Sequence, residues 1–199
     1  KLCPAHHFSA FCGLFLNGGH GERALWERSP EELELIRQYT WLHMELVPFI
    51  HSCDLQRFAD SDDRDTPWWG RVLMVPIKGR YQYMFGDTFL VAPIYEDSPT
   101  RTVEIPEGCW RYLFDDKDVI EGPLTLTSEY PLDEFPVFIE DGAIFPLDVK
   151  RPYTGFGDRD SEGFLTWCIW PAEESSCEFL HDESRRTRVT AAMRAGGVD

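Results

Sequence analysis

The sequence predicts an α/β part that is followed by an all-β part. Before residue 88, short apolar runs stand on both sides of a long helical segment, which is the strand–helix–strand order of a (β/α) barrel. After residue 88, short apolar runs alternate with Gly, Pro and Asp pairs and helical spacing disappears, which is typical of an antiparallel β-sandwich. The chain has 199 residues, enough for one large domain or two small ones.

The α/β part is predicted to start with a strand over residues 8–15, an apolar and aromatic run that ends in an Asn-Gly-Gly loop. A helix follows, because Ser29 can cap it, Pro30 fits its first turn and Glu32 can complete a capping box. Pro48 is expected to kink this helix near its end. The helix is apolar on two sides, which indicates that it is packed inside the protein. The two stripes comprise Leu33, Ile36, Thr40, Met44 and Val47 on one side, and Leu35, Leu42, Leu46 and Phe49 on the other.

The α/β part is predicted to end in a surface loop and a second strand. Residues 54–66 are polar, acidic and without periodicity, which favours a loop. Residues 72–77 form a continuous apolar run, which is typical of a parallel strand covered on both faces. These elements are too few to close a barrel. We expect the first helix stripe to be buried against Val72, Met74 and Ile77.

The all-β part is predicted from short runs between turn residues, followed by a Gly- and Asp-rich linker over residues 153–163 and a polar, frayed tail over residues 185–199. The predicted strands cover residues 89–94, 100–105, 110–114, 124–127, 137–139, 143–147, 164–170 and 178–180. We expect these strands to share one core that is separate from the core around the helix. The expected strand core comprises Phe89, Val91, Val103, Ile105, Trp110, Val137, Ile139 and Ile144.

Composition and charge disfavour several classes of partner. The formal net charge of −16 repels a phosphate backbone, so no nucleic-acid partner is expected. No apolar run has membrane-spanning length, so no membrane partner is expected either. The Cys residues lack metal-ligand spacing, which favours free thiols over a zinc site or a disulfide framework. An acidic surface suits a protein that handles neutral ligands such as sugars.

Motifs in register carry a resemblance to a known family. Residues 16–26 contain LNGGHGERALW, residues 81–94 contain YQYMFGDTFLVAPI, residues 105–110 contain IPEGCW, and residues 136–147 contain PVFIEDGAIFPL. With the helical segment over residues 41–49, they resemble the C-terminal part of glycoside hydrolase family 31, the α-glucosidase and α-xylosidase family. The resemblance covers about residues 8–147, with a fainter echo near residues 171–182.

The resemblance implies a domain organisation. Residues 1–88 would be the C-terminal remainder of a (β/α)8 TIM barrel, and residues 89–150 the proximal C-terminal antiparallel β-sandwich. Residues 151–199 would be a linker and the start of a truncated distal β-sandwich. The opening residues 1–5 do not fit the family, which suggests a truncated or mis-spliced gene model.

The resemblance also implies a function: hydrolysis of α-glycosidic bonds with retention, without metal or cofactor, on a carbohydrate substrate bound by the full-length protein. Such enzymes need two carboxylates about 5 Å apart, and the family places both Asp residues on earlier barrel strands. No catalytic residue is therefore assigned here, and the chain alone is expected to be inactive. A non-catalytic carbohydrate-binding β-module and a purely structural module are the alternatives.

His20 is the substrate-binding residue that the resemblance implies, because a family His after barrel strand seven hydrogen-bonds sugar hydroxyls. A neutral imidazole can donate with one ring nitrogen and accept with the other. The loop here contains Asn-Gly-Gly-His where many members have Arg-Asn-His, so a structural loop His is the alternative. Asn17 and Glu22 are weaker candidates in the same loop.

Several other residues could in principle act in catalysis or sugar binding, and most of them are assigned structural roles. Asp87 is assigned to the junction between barrel and sandwich, and the acids at Asp133 and Glu134 to a solvated turn. Trp41 is expected in the core, whereas Trp68 and Trp69 could be core or sugar-stacking residues. In addition, Val75 stands where an Arg commonly precedes this Pro in the family.

Overall fold

The structure is a computed structural model that describes residues 8–15, 24–60, 74–131, 133–182 and 184–193, with only the backbone of residues 57–60. The described helices are a helical turn at residues 8–10, a 3-10 turn at Leu25–Glu27, α1 (Pro30–Glu45), α2 (Val47–Asp60) and a further 3-10 turn at Arg159–Ser161. The described strands are β1 (Met74–Pro76), β2 (Tyr83–Phe85), β3 (Phe89–Val91), β4 (Thr100–Tyr112), β5 (Asp115–Glu129), β6 (Val137–Glu140), β7 (Ile144–Leu147), β8 (Thr166–Ile169), β9 (Glu174–Leu180) and β10 (Arg186–Ala192).

Helix α1 begins with the predicted capping box. The Ser29 hydroxyl accepts a hydrogen bond from the Glu32 backbone N–H at 3.2 Å, and the Glu32 carboxylate accepts one from the Ser29 N–H at 3.1 Å. The predicted kink is a break, since α1 ends at Glu45, Leu46 caps it and α2 starts at once. Pro48 lies in the first turn of α2, where a missing N–H costs no helical hydrogen bond.

The strands form one larger sheet and two small ones. The six-stranded sheet has the order β1-β2-β3-β6-β4-β5, and all its pairs are antiparallel. The pairs β7–β8 and β9–β10 form two-stranded antiparallel sheets. This mostly β-strand architecture confirms the all-β part of the predicted fold class. Before Met74 the described residues contain no strand, so the barrel part of that prediction is taken up below as a proposal.

The strand predicted over residues 72–77 has different surroundings from those expected. The described part, β1, pairs antiparallel with β2 and leaves Val75 and Pro76 exposed, so it is not covered on both faces. The same sheet continues into β3, and the predicted boundary between residues 88 and 89 falls inside it. The physical reason is the turn after β2, where Gly86 has a φ of 60° and returns the chain directly into β3.

The separate cores expected for helix and strands are also corrected. One buried cluster combines Phe49 of α2 with Phe85 and Phe89 of the sheet, and the Phe49 and Phe89 ring centroids lie 5.3 Å apart. The predicted strand core is divided because successive residues of a strand point to opposite faces. The buried cluster that contains Phe49 is called the helix-facing cluster below. The predicted core residues in it are Phe89, Val91, Val137 and Ile139, and those on the other face of the sheet are Val103, Ile105 and Trp110. On the helices, Met44 and Val47 are exposed, contrary to expectation.

Two further expectations at the chain ends are wrong. Residues 8–10 form a helical turn instead of a strand, and the Phe11 N–H donates to the Phe8 carbonyl oxygen at 3.1 Å. This turn places Phe11 fully inside the helix-facing cluster. In the tail, residues 186–192 are not frayed but form β10, which pairs along its whole length with β9.

Candidate functional site

The loop that contains the predicted substrate-binding residue lies outside the described residues. This applies to His20, to the weaker candidates Asn17 and Glu22, and to Trp68 and Trp69. The assignment of His20 therefore stays a prediction. Trp41 is half-buried on α1, and its ring lies 5.6 Å from that of Tyr153 at an angle of 35°.

The turn that contains Asp133 and Glu134 is bonded to both the helix and the sheet. The Tyr39 hydroxyl of α1 donates to the Asp133 carbonyl oxygen at 2.7 Å, and the Tyr112 hydroxyl of β4 donates to the Glu134 carboxylate at 2.8 Å. Burial and the bond to Glu134 raise the pKa of Tyr112. The turn is thus more than a solvated edge, since it links α1 to β4.

Asp87 lies in the turn between β2 and β3 and lines a groove of about 410 Å³, which we call the acidic groove. The groove is bounded by α2, the β2–β3 turn, the β6–β7 turn and β9, and its acidic lining residues are Asp87, Glu140, Asp141, Glu174 and Glu178. The turns approach α2 closely, because a Cβ on Gly86 would lie 2.6 Å from the Phe49 Cζ atom. This volume is within the range of small-molecule sites.

Structural bonds engage two carboxylates of the acidic groove, those of Asp141 and Glu178, the latter paired with Arg186 at 3.7 Å. Asp141 accepts a hydrogen bond from the Arg111 Nε atom at 2.7 Å, which joins the β6–β7 turn to β4. The Glu140 N–H donates to the Thr88 carbonyl oxygen at 3.2 Å. Desolvation and the nearby Asp87 raise the pKa of Glu140. In the part of the chain that the structure describes, no group of three His, Cys, Asp or Glu residues could hold a metal ion.

The sequence did not predict the buried carboxyl group of Glu45, at the end of α1. Glu45 is fully buried, and its Oε2 atom accepts a hydrogen bond from the Thr154 hydroxyl at 2.5 Å. Among the described residues the Oε1 atom has no hydrogen-bond partner, and burial raises the pKa of the Glu45 carboxyl group to about 7. The Glu45 carbonyl oxygen accepts a bond from the Asp148 N–H at 2.9 Å. The helical spacing could have indicated this burial, because Glu45 follows Leu42 by three residues and precedes Phe49 by four and so falls on the apolar side of the helical segment.

No helix among the described residues is long and apolar enough to cross a membrane.

The described Cys residues are all free thiols. Burial raises the pKa of Cys12 to about 11 and that of Cys168 to about 12, which favours the protonated thiol of both residues at neutral pH.

Residues 63–145 match the family model described as the glycosyl hydrolase family 31 C-terminal domain. Two curated relatives are an isomaltosyltransferase of Sporosarcina globispora, 25% identical over 158 residues, and an alpha-xylosidase of Saccharolobus solfataricus, 26% identical over 153 residues. These alignments cover 69% and 70% of this chain. The chain spans only 13% and 20% of the length of those relatives.

Solved structures share the fold. The cycloalternan-forming enzyme of Listeria monocytogenes superposes with a TM-score of 0.72 at 23% identity, over 96% of this chain and 20% of that one. The GH31 alpha-xylosidase of Xanthomonas citri gives a TM-score of 0.67 at 24% identity, over 89% of this chain and 20% of that one. Residues 63–145 of this chain therefore match the C-terminal domain of glycoside hydrolase family 31, and a wider part of the chain is similar to an isomaltosyltransferase and an alpha-xylosidase.

Proposed function

We propose that this chain is the C-terminal portion of a retaining α-glycosidase that hydrolyses α-glucoside or α-xyloside bonds, with its catalytic Asp pair outside this chain. The observation that carries the proposal is the family 31 C-terminal domain over residues 63–145. Relatives named as an alpha-xylosidase and an isomaltosyltransferase support a reaction at an α-glycosidic bond. Hydrolysis and transfer share a glycosyl-enzyme intermediate and differ only in whether water or a sugar hydroxyl accepts the glycosyl group.

We propose that the predicted domain division describes the longer protein: the last part of a (β/α)8 barrel over residues 1–88, a proximal β-sandwich over residues 89–150, and a linker and distal sandwich from residue 151. The pairing of β2 with β3 and of β7 with β8 means that strands are shared across both boundaries. Exposed apolar residues near the helices support this proposal. Trp26 is 77% exposed, Met44 54% and Val47 45%. Large apolar side chains on a helix favour contact with further protein. In this arrangement the sandwich holds α1 and α2 through the helix-facing cluster, and the helices hold the barrel loops in place.

A comparison of this chain with a longer protein tests the proposal. We expect the 199-residue chain to leave an aryl α-glucoside and an aryl α-xyloside unhydrolysed, because the carboxylate pair supplies most of the rate enhancement. We expect an open reading frame extended upstream to encode the Asp pair and to yield an active protein. Turnover by this chain that disappears in Asp87→Asn would overturn the proposal, as would a stop codon immediately upstream.

The proposed role of His20 is to hydrogen-bond a sugar hydroxyl beside the cleaved bond, at the face where barrel active sites are built from βα-loops. In the longer active protein, His20→Ala should lower transition-state stabilisation by roughly 2–4 kcal/mol, comparable to deletion of one preorganised donor. Its melting temperature should change little, because a loop imidazole contributes little to a core. The measurement is kcat/KM beside thermal unfolding. Intact activity, or a parallel fall of activity and stability, would make His20 a structural residue.

A further inference from the structure

Two exposed tyrosines meet at one end of the six-stranded sheet. Tyr81 lies between β1 and β2, and Tyr95 lies between β3 and β4. Their ring centroids are 4.7 Å apart and the ring planes make an angle of 72°. Tyr81 is 63% exposed and Tyr95 is 39% exposed. The two rings therefore form a solvent-facing aromatic corner that the sheet core does not use.

Guanidinium groups hold this aromatic corner in place. The Arg80 Cζ atom lies 5.2 Å from the Tyr81 ring centroid and 4.9 Å from that of Tyr95. The Arg101 Cζ atom lies 4.7 Å from the Tyr95 centroid. Cation–π contacts of this kind fix the rings before any ligand arrives. A fixed surface loses less conformational entropy on binding, so the corner is preorganised.

The backbone of Tyr81 is strained. Its φ is 54°, in the left-handed region that bulky residues rarely adopt. Glycine or asparagine would occupy this position at less cost. Burial of the side chain does not offset the strain, because the ring is mostly exposed. An observed backbone outlier of this kind motivates a functional hypothesis.

A groove of about 260 Å³ with hydrogen-bonding groups adjoins the corner. Arg101 lines this groove and is itself only 6% exposed. Its Nη2 atom donates to the Arg80 carbonyl oxygen, whereas its Nε atom has no acceptor in the described structure. A buried donor without an acceptor is costly, and a small shift of the Arg101 side chain toward the groove would bring this donor within reach of a ligand oxygen. Ser98 and Thr100 add hydroxyl groups to the same wall.

We propose that the Tyr81–Tyr95 corner and this groove form a binding site for a neutral pyranose sugar, separate in role from bond cleavage. The apolar face of the sugar ring would pack on the exposed Tyr81 ring, and sugar hydroxyls would bond to Arg101 and to the Ser98 and Thr100 side chains. We choose a neutral sugar because Arg80 is already paired with Glu96 at 3.8 Å and Arg101 is only 6% exposed, so neither guanidinium presents a free charge to the ligand. The choice of an α-glucan as probe rests on the proposed function.

Titration of the 199-residue chain with isomaltotriose, followed by isothermal calorimetry or amide chemical shifts, tests this site. We expect saturable binding, and binding weaker by about tenfold in Tyr81→Ala and in Tyr95→Ala, a factor that corresponds to about 1.4 kcal/mol. Tyr153→Ala is the matched control, since Tyr153 is also partly exposed with an Arg guanidinium over its ring, 5.6 Å from the centroid. It should bind isomaltotriose as the unmodified chain does.

Tyr81→Gly separates a binding role from a structural one. Gly relieves the strained backbone, so its melting temperature should stay equal or rise while isomaltotriose binding weakens. A lower melting temperature with unchanged binding would overturn the proposal. So would the lack of saturable binding to the folded chain, equal binding by Tyr81→Ala, or tighter binding of a galacturonate trisaccharide than of isomaltotriose. Glycoside hydrolysis by the longer protein is measured separately from isomaltotriose binding by this chain. The proposed function can therefore fail while the proposed binding site stands, and the reverse.

Discussion

The two sides of the α1–α2 helix pair are both apolar in sequence but have different surroundings in the structure. On the buried side, Tyr39, Leu42 and Phe49 pack with the sheet in one cluster. On the other side, Met44 and Val47 remain exposed. Apolar character alone therefore does not tell which side of a helix is covered within a chain. The covered side is the one that packs against the aromatic residues of the sheet, among them Phe85 and Phe89.

The buried side is held by polar bonds as well as by apolar contacts. The Tyr39 hydroxyl bonds to the Asp133 carbonyl oxygen, and Thr154 bonds to the buried Glu45 carboxyl. The exposed side has surface ion pairs, such as Arg37 with Glu34. Exposed pairs contribute little to stability. We therefore expect substitutions on the two sides to differ strongly in their effect on the free energy of unfolding.

The largest expected effect is on the buried side, at Phe49. Phe49→Ala would leave a cavity between α2 and the sheet, because its ring lies within 6.0 Å of the Phe85, Phe89 and Phe145 rings. We expect a loss of roughly 3–5 kcal/mol in the free energy of unfolding. Urea unfolding measures it, with Val47→Ala as the control on the exposed side. Similar losses for the two variants would remove the distinction between the sides.

Glu45 should make the buried side sensitive to pH. Its folded pKa of about 7 lies above the ordinary value of 4.5, so the folded state retains the proton more strongly than the unfolded state. This contribution to stability is present below pH 4.5 and is lost as the pH rises towards 7, by about 3 kcal/mol in total.

Glu45→Gln should therefore flatten the pH dependence, because an amide can bond to Thr154 without ionising. The measurement is the free energy of unfolding of both proteins between pH 4 and pH 8, where the difference between them isolates the Glu45 carboxyl from the other acids. Parallel pH curves for the two proteins would show that Glu45 does not titrate in this range.

The capping box gives a smaller effect at the start of α1. Ser29→Ala removes the acceptor of the Glu32 N–H and should lower stability by about 1 kcal/mol. Ser29→Thr is the matched control, since a Thr hydroxyl can cap in the same way. Thermal unfolding compares the two variants. An unchanged melting temperature in Ser29→Ala would mean that the first turn of α1 is frayed despite its cap.

Sequence patterns predicted local structure better than they predicted which strands pair with each other. The capping box and the alternation in β4 depend on neighbouring residues, so both could be found without coordinates. The antiparallel pairing of β1 with β2 depends on the turn between them, where Gly79 and Tyr81 have positive φ angles, and the apolar run before this turn does not reveal it. The helical turn at residues 8–10 was missed because a short apolar run suits a strand and a helix equally well.

The candidate sites were also harder to predict from sequence where they combine residues that are distant along the chain. Asp87 stood out in the sequence because it belongs to a recognisable motif, but its partners in the acidic groove come from distant elements. The Tyr81–Tyr95 corner was not predicted, since only the fold brings these rings and Arg101 together. Glu45 could have been found from helical spacing, but burial of a carboxyl group also requires Thr154, from a segment predicted as linker.

The smallest effect in this chain is expected on the exposed side, at Met44. Met44→Lys should change the free energy of unfolding by no more than about 0.5 kcal/mol here, because the side chain is already in contact with solvent. The longer protein gives the contrast. If barrel residues cover this side of α1, Met44→Lys would place a charge in an apolar contact and should destabilise by several-fold more. Glu34→Gln, an exposed change on the same helix, is the control in both proteins. Equal effects of Met44→Lys in the two contexts would show that this side of the helix stays uncovered, and the proposed barrel packing around α1 would then be wrong.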